Sequence, residues 1–328
     1  RNGNPITNLT KNDFTLLEDG KPQTIQTVDF QKLATTVLPA ITPQFATRNP
    51  NPAPNEPEPS TTAELLSKYQ DRRLMILLFD FSSMQPAEQI RTRDAALKFL
   101  STQMPASDMV SIMVFGSQLR TVPEFPADRD LLTSVIKNFH IGDSSELASM
   151  GDTGADSEDQ SGLFTADETE FNIFNTDRKL AALQEAAQTL GRYPEKKALV
   201  YFSSGVEKTG VDNQSQLEAT VNAAVRANVA FYPIDARGLS ASAPGGDATQ
   251  AGAVGSNLYS GAGQRSLSDS FQNQQETLFT LASDTGGKAL LDSNDLTQGI
   301  TQVQKDVNSY YIIGYQSSNT AEDGRNRH

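Results

Sequence analysis

Six consecutive apolar residues, Leu74-Met75-Ile76-Leu77-Leu78-Phe79, run without a polar break into Asp80. A strand of that composition has no face it can turn to water, so it belongs in a sheet covered on both sides. Parallel sheets are covered in this way, because the helices that connect their strands lie across both faces. The remainder of the chain supplies such helices. Residues 87–104 place Ile90, Ala95, Ala96, Phe99 and Leu100 at helical spacing, and residues 176–190 do the same with Leu180, Leu183, Ala186, Ala187 and Leu190. Further helices are predicted at 129–139, 214–227, 270–284 and 295–307, and further strands at 109–115, 119–122, 198–202, 229–234, 289–291 and 310–315. The alternation predicts an α/β fold: a doubly wound, mostly parallel sheet with helices on both faces.

Before this unit, Asp19-Gly20 sits between two alternating stretches, which predicts a hairpin with strands at 14–17 and 24–30. The organisation expected is an N-terminal β segment at 1–41 that packs with the chain end, a Pro-rich linker at 42–63, the main α/β domain at 64–309, and a C-terminal strand and tail at 310–328. Two inserts interrupt the main domain. Residues 142–170 carry nine carboxylates and no Lys or Arg, and residues 240–264 are rich in Gly, Ala and Ser. Neither composition can bury enough apolar surface to order itself, so both are expected to be flexible loops.

Charge and composition narrow the function. A formal net charge of −13 is the wrong sign for nucleic-acid phosphates or anionic lipid, both of which need clustered Lys and Arg. No stretch approaches the run of about 18 apolar residues required to cross a bilayer. The absence of cysteine rules out disulfides, thiolate metal sites and cysteine nucleophiles, and suits a protein that passes through an oxidising periplasm. The start, Arg1-Asn2-Gly3-Asn4-Pro5, reads as a turn from within a longer sequence, so the chain is expected to be secreted, periplasmic or part of the cell envelope. Enzymatic signatures are missing: there is no Gly-x-Ser-x-Gly elbow, no phosphate-binding GxxxxGK[ST] loop and no GxGxxG after the first buried strand. Of the two histidines, His328 is terminal and His140 follows a helix end, where capping is the expected role. In the acidic insert, a twelve-residue count from Asp152 puts Leu163 where a calcium loop needs a bidentate Glu, so it is not an EF-hand.

The informative spot is Asp80-Phe81-Ser82-Ser83-Met84, at the C-terminal end of the first buried strand, where ligand crevices of doubly wound sheets form. One carboxylate and two hydroxyls are hard oxygen donors suited to a hydrated Mg²⁺. The same residues also suit a turn in which Asp80 satisfies backbone groups. Asp235 and Arg237, at the end of the fifth strand, are expected to form an ion pair that anchors the turn at Gly238.

Asp80-Phe81-Ser82 resembles the start of the Asp-x-Ser-x-Ser motif of the metal-ion-dependent adhesion site (MIDAS) in von Willebrand factor type A (vWA) domains. The chain resembles in particular the VWFA-related proteins typical of acidobacteria, through Asn8-Leu9-Thr10-Lys11-Asn12-Asp13-Phe14, Glu18-Asp19-Gly20-Lys21, Phe174-Asn175-Thr176-Asp177-Arg178, Tyr232-Pro233-Ile234-Asp235-Ala236-Arg237-Gly238-Leu239, Thr285-Gly286-Gly287-Lys288 and Tyr310-Tyr311-Ile312-Ile313-Gly314-Tyr315. The resemblance implies six strands in the order 3-2-1-4-5-6 with one short antiparallel edge. It also implies a metal site at Asp80, Ser82, Ser83, Thr176 and Ser204, in degenerate form. Met84 stands where the family has its second serine, and Ser204 where it has an aspartate, so Mg²⁺ or Mn²⁺ is expected to bind weakly. The function implied is non-enzymatic adhesion or assembly outside the cytoplasm. A protein or other extracellular ligand, basic or bridged by a cation, would meet a face made by Asp80, Ser82, Thr176, Asp177, Ser204 and Asp235. Two alternatives stand beside it: a carboxylate-dependent hydrolase or carbohydrate-active enzyme using Asp80, Asp235 and insert carboxylates, and a structural envelope scaffold.

Overall fold

A computed structural model of the 328-residue chain describes residues 6–32, 72–105, 108–121, 125, 128–142, 165–193, 195–209, 211–239, 262–307 and 309–319. In chain order the first strands are β1 (Leu17–Glu18), β2 (Lys21–Pro22), β3 (Ile25–Lys32) and β4 (Arg73–Asp80). Helix α1 (Pro86–Thr102), β5 (Asp108–Phe115), β6 (Leu119–Thr121) and α2 (Arg129–Lys137) follow. Then come α3 (Thr165–Leu190), β7 (Lys197–Ser203), α4 (Asp212–Arg226) and β8 (Val229–Asp235). The last elements are α5 (Ala262–Thr285), α6 (Thr297–Val307) and β9 (Ser309–Tyr315). The expected linker at 42–63, most of both inserts (143–164 and 240–261) and the tail beyond 319 lie outside the described residues. The insert at 142–170 ends sooner than its composition implied, because α3 begins at Thr165.

Five strands make the main sheet in the order β6-β5-β4-β7-β8; β5, β4, β7 and β8 are parallel and β6 is the antiparallel edge. Alternation along β4 explains both layers. Leu74, Ile76 and Leu78 point to one face and meet Leu180, Leu183, Ala186, Ala187 and Leu190 of α3, Leu217, Val221 and Ala224 of α4, and Leu278 and Leu281 of α5. Met75, Leu77 and Phe79 point to the other face and meet Ala95, Ala96, Phe99 and Leu100 of α1, Leu132 and Ile136 of α2, and Ile300, Val303 and Val307 of α6. Each large side chain fully buried in these layers contributes about 1.5–3 kcal/mol.

The order agrees with the one the resemblance implies, except that the sixth strand is a correction. Residues 289–291 form only one parallel bridge, Leu290 to Ile234. Leu290 N–H donates to the Pro233 carbonyl at 2.8 Å and Asp235 N–H donates to the Leu290 carbonyl at 3.0 Å. Extending that ladder toward the helix would need a donor at Pro233, which has none. At the other end the chain turns away at Asp292, whose φ is +52°.

The N-terminal segment also departs from its predicted strands. The hairpin is shorter, with Leu17 opposite Pro22 and Glu18 opposite Lys21, and its turn has φ of +50° at Asp19 and +76° at Gly20, as a type I′ turn requires. Instead of joining that hairpin, β3 pairs antiparallel with β9, from Ile25 opposite Tyr315 to Lys32 opposite Ser309. Tyr311 fastens the pair: its ring lies 5.0 Å from Phe30 and 5.5 Å from Phe14, and its hydroxyl accepts from Leu9 N–H at 3.0 Å.

Candidate functional site

Strand β4 ends in Asp80, which is fully buried, and Phe81 N–H donates back to the Phe115 carbonyl at 2.8 Å, holding the turn against β5. The Ser82 backbone N–H and hydroxyl both donate to Asp80 Oδ1, at 3.1 and 2.5 Å. Ser83 Oγ lies 3.4 Å from Oδ2. The carboxylate is therefore gathered by its own turn, the local behaviour expected of Asp and Ser outside regular structure. The chain then drops Met84 into the apolar layer beneath α1, fully buried, with Thr92 Oγ1 3.7 Å from its sulfur. A side chain there faces the core and not the Asp80 carboxylate.

Two groups on β7 complete the surroundings. Tyr201 donates its hydroxyl to Asp80 Oδ2 at 2.7 Å, and Ser203 Oγ lies 3.4 Å from the same oxygen. A cation arrives from α3: Lys179 Nζ stands 4.0 Å from Oδ2 and donates to the Gly205 carbonyl at 3.1 Å. Ser203 Oγ is also 3.2 Å from that carbonyl, so it lies between the carboxylate and the group that holds the ammonium. Burial lowers the Lys179 pKa, and the Asp80 charge draws it back up. Burial first, and then Asp80, push the Tyr201 phenol well above its usual value, so it remains a donor.

Of the five residues that the resemblance assigns to metal, Asp80, Ser82 and Ser83 are brought together and two are engaged elsewhere. Thr176 Oγ1 donates to the Glu207 carbonyl at 2.6 Å. Ser204 Oγ donates to Glu88 Oε2 at 2.5 Å, and the same oxygen accepts from Gln85 N–H at the start of α1, at 2.9 Å. The expected face is likewise tied down. Asp177 Oδ1 accepts from Asn213 Nδ2 at 2.8 Å. Asp235 accepts two parallel bonds from Arg237, at 2.9 and 2.8 Å, and Arg237 also lies over the Phe271 ring at 4.2 Å. The ion pair expected there is present, and Arg91 fixes its turn by donating to the Ala236 and Arg237 carbonyls at 2.9 and 2.7 Å.

The donor set does not fit a divalent cation. It offers one carboxylate, whose charge an ammonium already balances, where a hydrated Mg²⁺ site depends on uncompensated oxygen charge. Among the described residues there is also no cluster of three or more His, Asp or Glu that could hold a metal. Lys179 and Tyr201 were missed in the sequence. A signal existed for Lys179: it follows Thr176 by three positions, the spacing that puts two side chains on one helix face.

No protein-family model and no curated protein matches the chain. Solved structures do. An aerotolerance-related membrane protein from Bacteroides fragilis is 12% identical, with a TM-score of 0.42 over 71% of this chain and 98% of that one. BatB from Bacteroides thetaiotaomicron is 13% identical, with a TM-score of 0.39 over 71% and 96%. Proximal thread matrix protein 1 from the mussel byssus, with a zinc-occupied MIDAS motif, is 11% identical, with a TM-score of 0.36 over 71% of this chain and 47% of its own. Likeness at this level carries no weight for the chemistry of the site.

Proposed function

We propose that this chain is a non-enzymatic, extracytoplasmic binding module of the vWA kind, whose partner protein or ligand docks on the C-terminal end of the sheet. One observation carries the reading. Around a polar base in which Asp80, Thr176, Asp177, Ser204 and Asp235 are all internally bonded, three large apolar side chains stand in water: Phe174 at 60% exposure, Val211 at 84% and Leu239 at 62%. They sit on the segments that border that end, namely α3, the entry to α4 and the exit from β8. A rigid, self-satisfied base with apolar groups on its rim suits recognition, since desolvated apolar contacts dominate binding energy. Because Asp80 and Asp235 carry their own cations, contact here is apolar first, in place of the basic or cation-bridged partner that composition implied. Of the carboxylates a hydrolase would use, Asp80 and Asp235 are held in ion pairs, which favours binding over catalysis, and most of the insert carboxylates lie outside the described residues. No helix among the described residues is long and apolar enough to cross a membrane.

The test is capture from envelope extracts by immobilised chain, comparing wild type with a Phe174→Ser, Val211→Ser, Leu239→Ser triple variant and with Phe279→Ser on the exposed flank of α5. The triple variant is expected to lose at least about tenfold in capture and the control to lose nothing. Equal capture by all three folded proteins would remove this end of the sheet as the docking surface.

A further inference from the structure

We propose that Lys179 serves as a built-in cation in the place where the vWA resemblance implies a divalent ion, so that this end of the sheet is assembled and neutralised without metal. The inference does not depend on what docks there. It stands on three observations of geometry.

First, the ammonium is central to the site and not incidental to it. Lys179 Nζ reaches from α3 to the Asp80 carboxylate at the end of β4 (4.0 Å) and to the Gly205 carbonyl beyond β7 (3.1 Å). These are a helix, a strand end and a loop that a metal-bridged site would have to join. Second, the groups a divalent ion would take as ligands are already used. The carboxylate accepts from Ser82 and Tyr201, Thr176 donates to Glu207, and Ser204 donates to Glu88, while Met84 turns into the core. Third, the losses and the gain balance. Relative to the family motif, this chain lacks one carboxylate and one hydroxyl, at Ser204 and Met84, and has one lysine ammonium beside the carboxylate that remains. A dication entering beside Asp80 would meet that charge at close range in a buried setting, where repulsion between like charges is weakly screened. Gly205 belongs to the same arrangement. Its φ is +104°, a conformation glycine adopts without strain, and a Cβ there would lie 2.5 Å from Gln274 Oε1, so the carbonyl that holds Lys179 is presented from a turn open only to glycine.

The experiment is Mn²⁺ binding followed by electron paramagnetic resonance, alongside thermal unfolding in EDTA, Mg²⁺ and Mn²⁺. It uses wild type, Asp80→Asn, Lys179→Ser, Lys179→Met, and Lys179→Ser combined with Asp80→Asn. Wild type is expected to unfold at one temperature in all three conditions and to show no Mn²⁺ site that depends on Asp80. Lys179→Ser is expected to bind Mn²⁺ at least about tenfold more tightly than wild type, with the gain lost when Asp80 is also changed. A single Mn²⁺ site in wild type that Asp80→Asn abolishes would overturn the proposal, whatever the variants do. So would folded Lys179→Ser and Lys179→Met proteins that bind Mn²⁺ no better than wild type. If Lys179→Ser does not fold, Lys179→Met decides the second point in its place.

Discussion

The two ends of the central sheet each bury an acid and a base, and they do so differently. At the N-terminal end, Arg73 of β4 donates through Nε to Asp108 of β5 at 2.5 Å, and Gln304 of α6 donates to the other carboxylate oxygen at 2.9 Å. That pair is a direct clasp across two adjacent strands and a helix. Burial raises the Asp108 pKa, against the pull of Arg73 and Gln304. At the C-terminal end, Asp80 takes its hydrogen bonds from hydroxyls and the Ser82 backbone N–H, while Lys179 stands at 4.0 Å and bonds a carbonyl instead. One pair works by contact and the other by field. At Asp80 the sheet keeps a carboxylate buried and yet apart from the cation nearest it, whereas Asp235 at the same end is clasped directly by Arg237.

Four measurements can break or sharpen this contrast. Asp108→Ala removes a buried carboxylate that accepts from both Arg73 and Gln304, so denaturant unfolding should show a loss of about 3–5 kcal/mol. A loss below that of the variants at the C-terminal end would reverse the ranking. Gly205→Ala forces a side chain into a positive-φ position against Gln274 and is expected to cost about 2–3 kcal/mol. A stability near wild type would mean that this turn is not strained by a Cβ.

Lys197, which starts β7, adds a pH test at the N-terminal end. It is fully buried and donates to the Tyr193 and Glu195 carbonyls, and burial lowers its pKa to about 8. An unfolded lysine titrates near about 10.4, so between these values the unfolded chain binds more protons and stability rises with pH. The rise attributable to this residue should be about 2 kcal/mol from pH 8 to 10.4, allowing for the carbonyl bonds that favour the charged form, and it should vanish in Lys197→Met. Equal slopes in the two proteins would assign the rise to other groups. The smallest effect is expected from Lys179→Met, about 1 kcal/mol, because Asp80 keeps its hydroxyl and backbone donors when the ammonium is gone. A cost matching that of Asp108→Ala would show that the Asp80–Lys179 pair is a clasp as well.

What could be read in the sequence followed from side chains that act alone. The uninterrupted run 74–79 and the helical spacing of Leu180, Leu183, Ala187 and Leu190 announce a buried strand and its covering helix, because burial on both faces leaves no other pattern. Asp19-Gly20 announces its turn for a similarly local reason. The failures are pairings. The expected pairing of the N-terminal segment with the chain end is present as β3 with β9, whereas the hairpin pairing of 24–30 with 14–17 is not taken, because alternation alone fits either edge. Pro233 did carry the signal that the sixth strand would stop, since it removes the next donor in the ladder. At the site, Asp80 and its serines were legible as a motif, whereas Tyr201 and Lys179 meet Asp80 from 121 residues downstream and from a helix on the sheet's face. Ser203 and Ser204 are adjacent in sequence, yet the first, at the end of β7, faces Asp80 and the second, in the bend after it, reaches Glu88.

The antiparallel pairing of β3 with β9 has a mechanical consequence. Ile25 and Tyr315 lie opposite each other at one end of that ribbon, and Lys32 and Ser309 at the other, so the chain enters and leaves the molecule side by side. Tension applied through residues before 25 and after 315 would load the ribbon's hydrogen bonds one at a time, as a zipper, and not together in shear. The ribbon would therefore part at low force, while the parallel sheet bears no load until the last rung at Lys32 and Ser309 has opened.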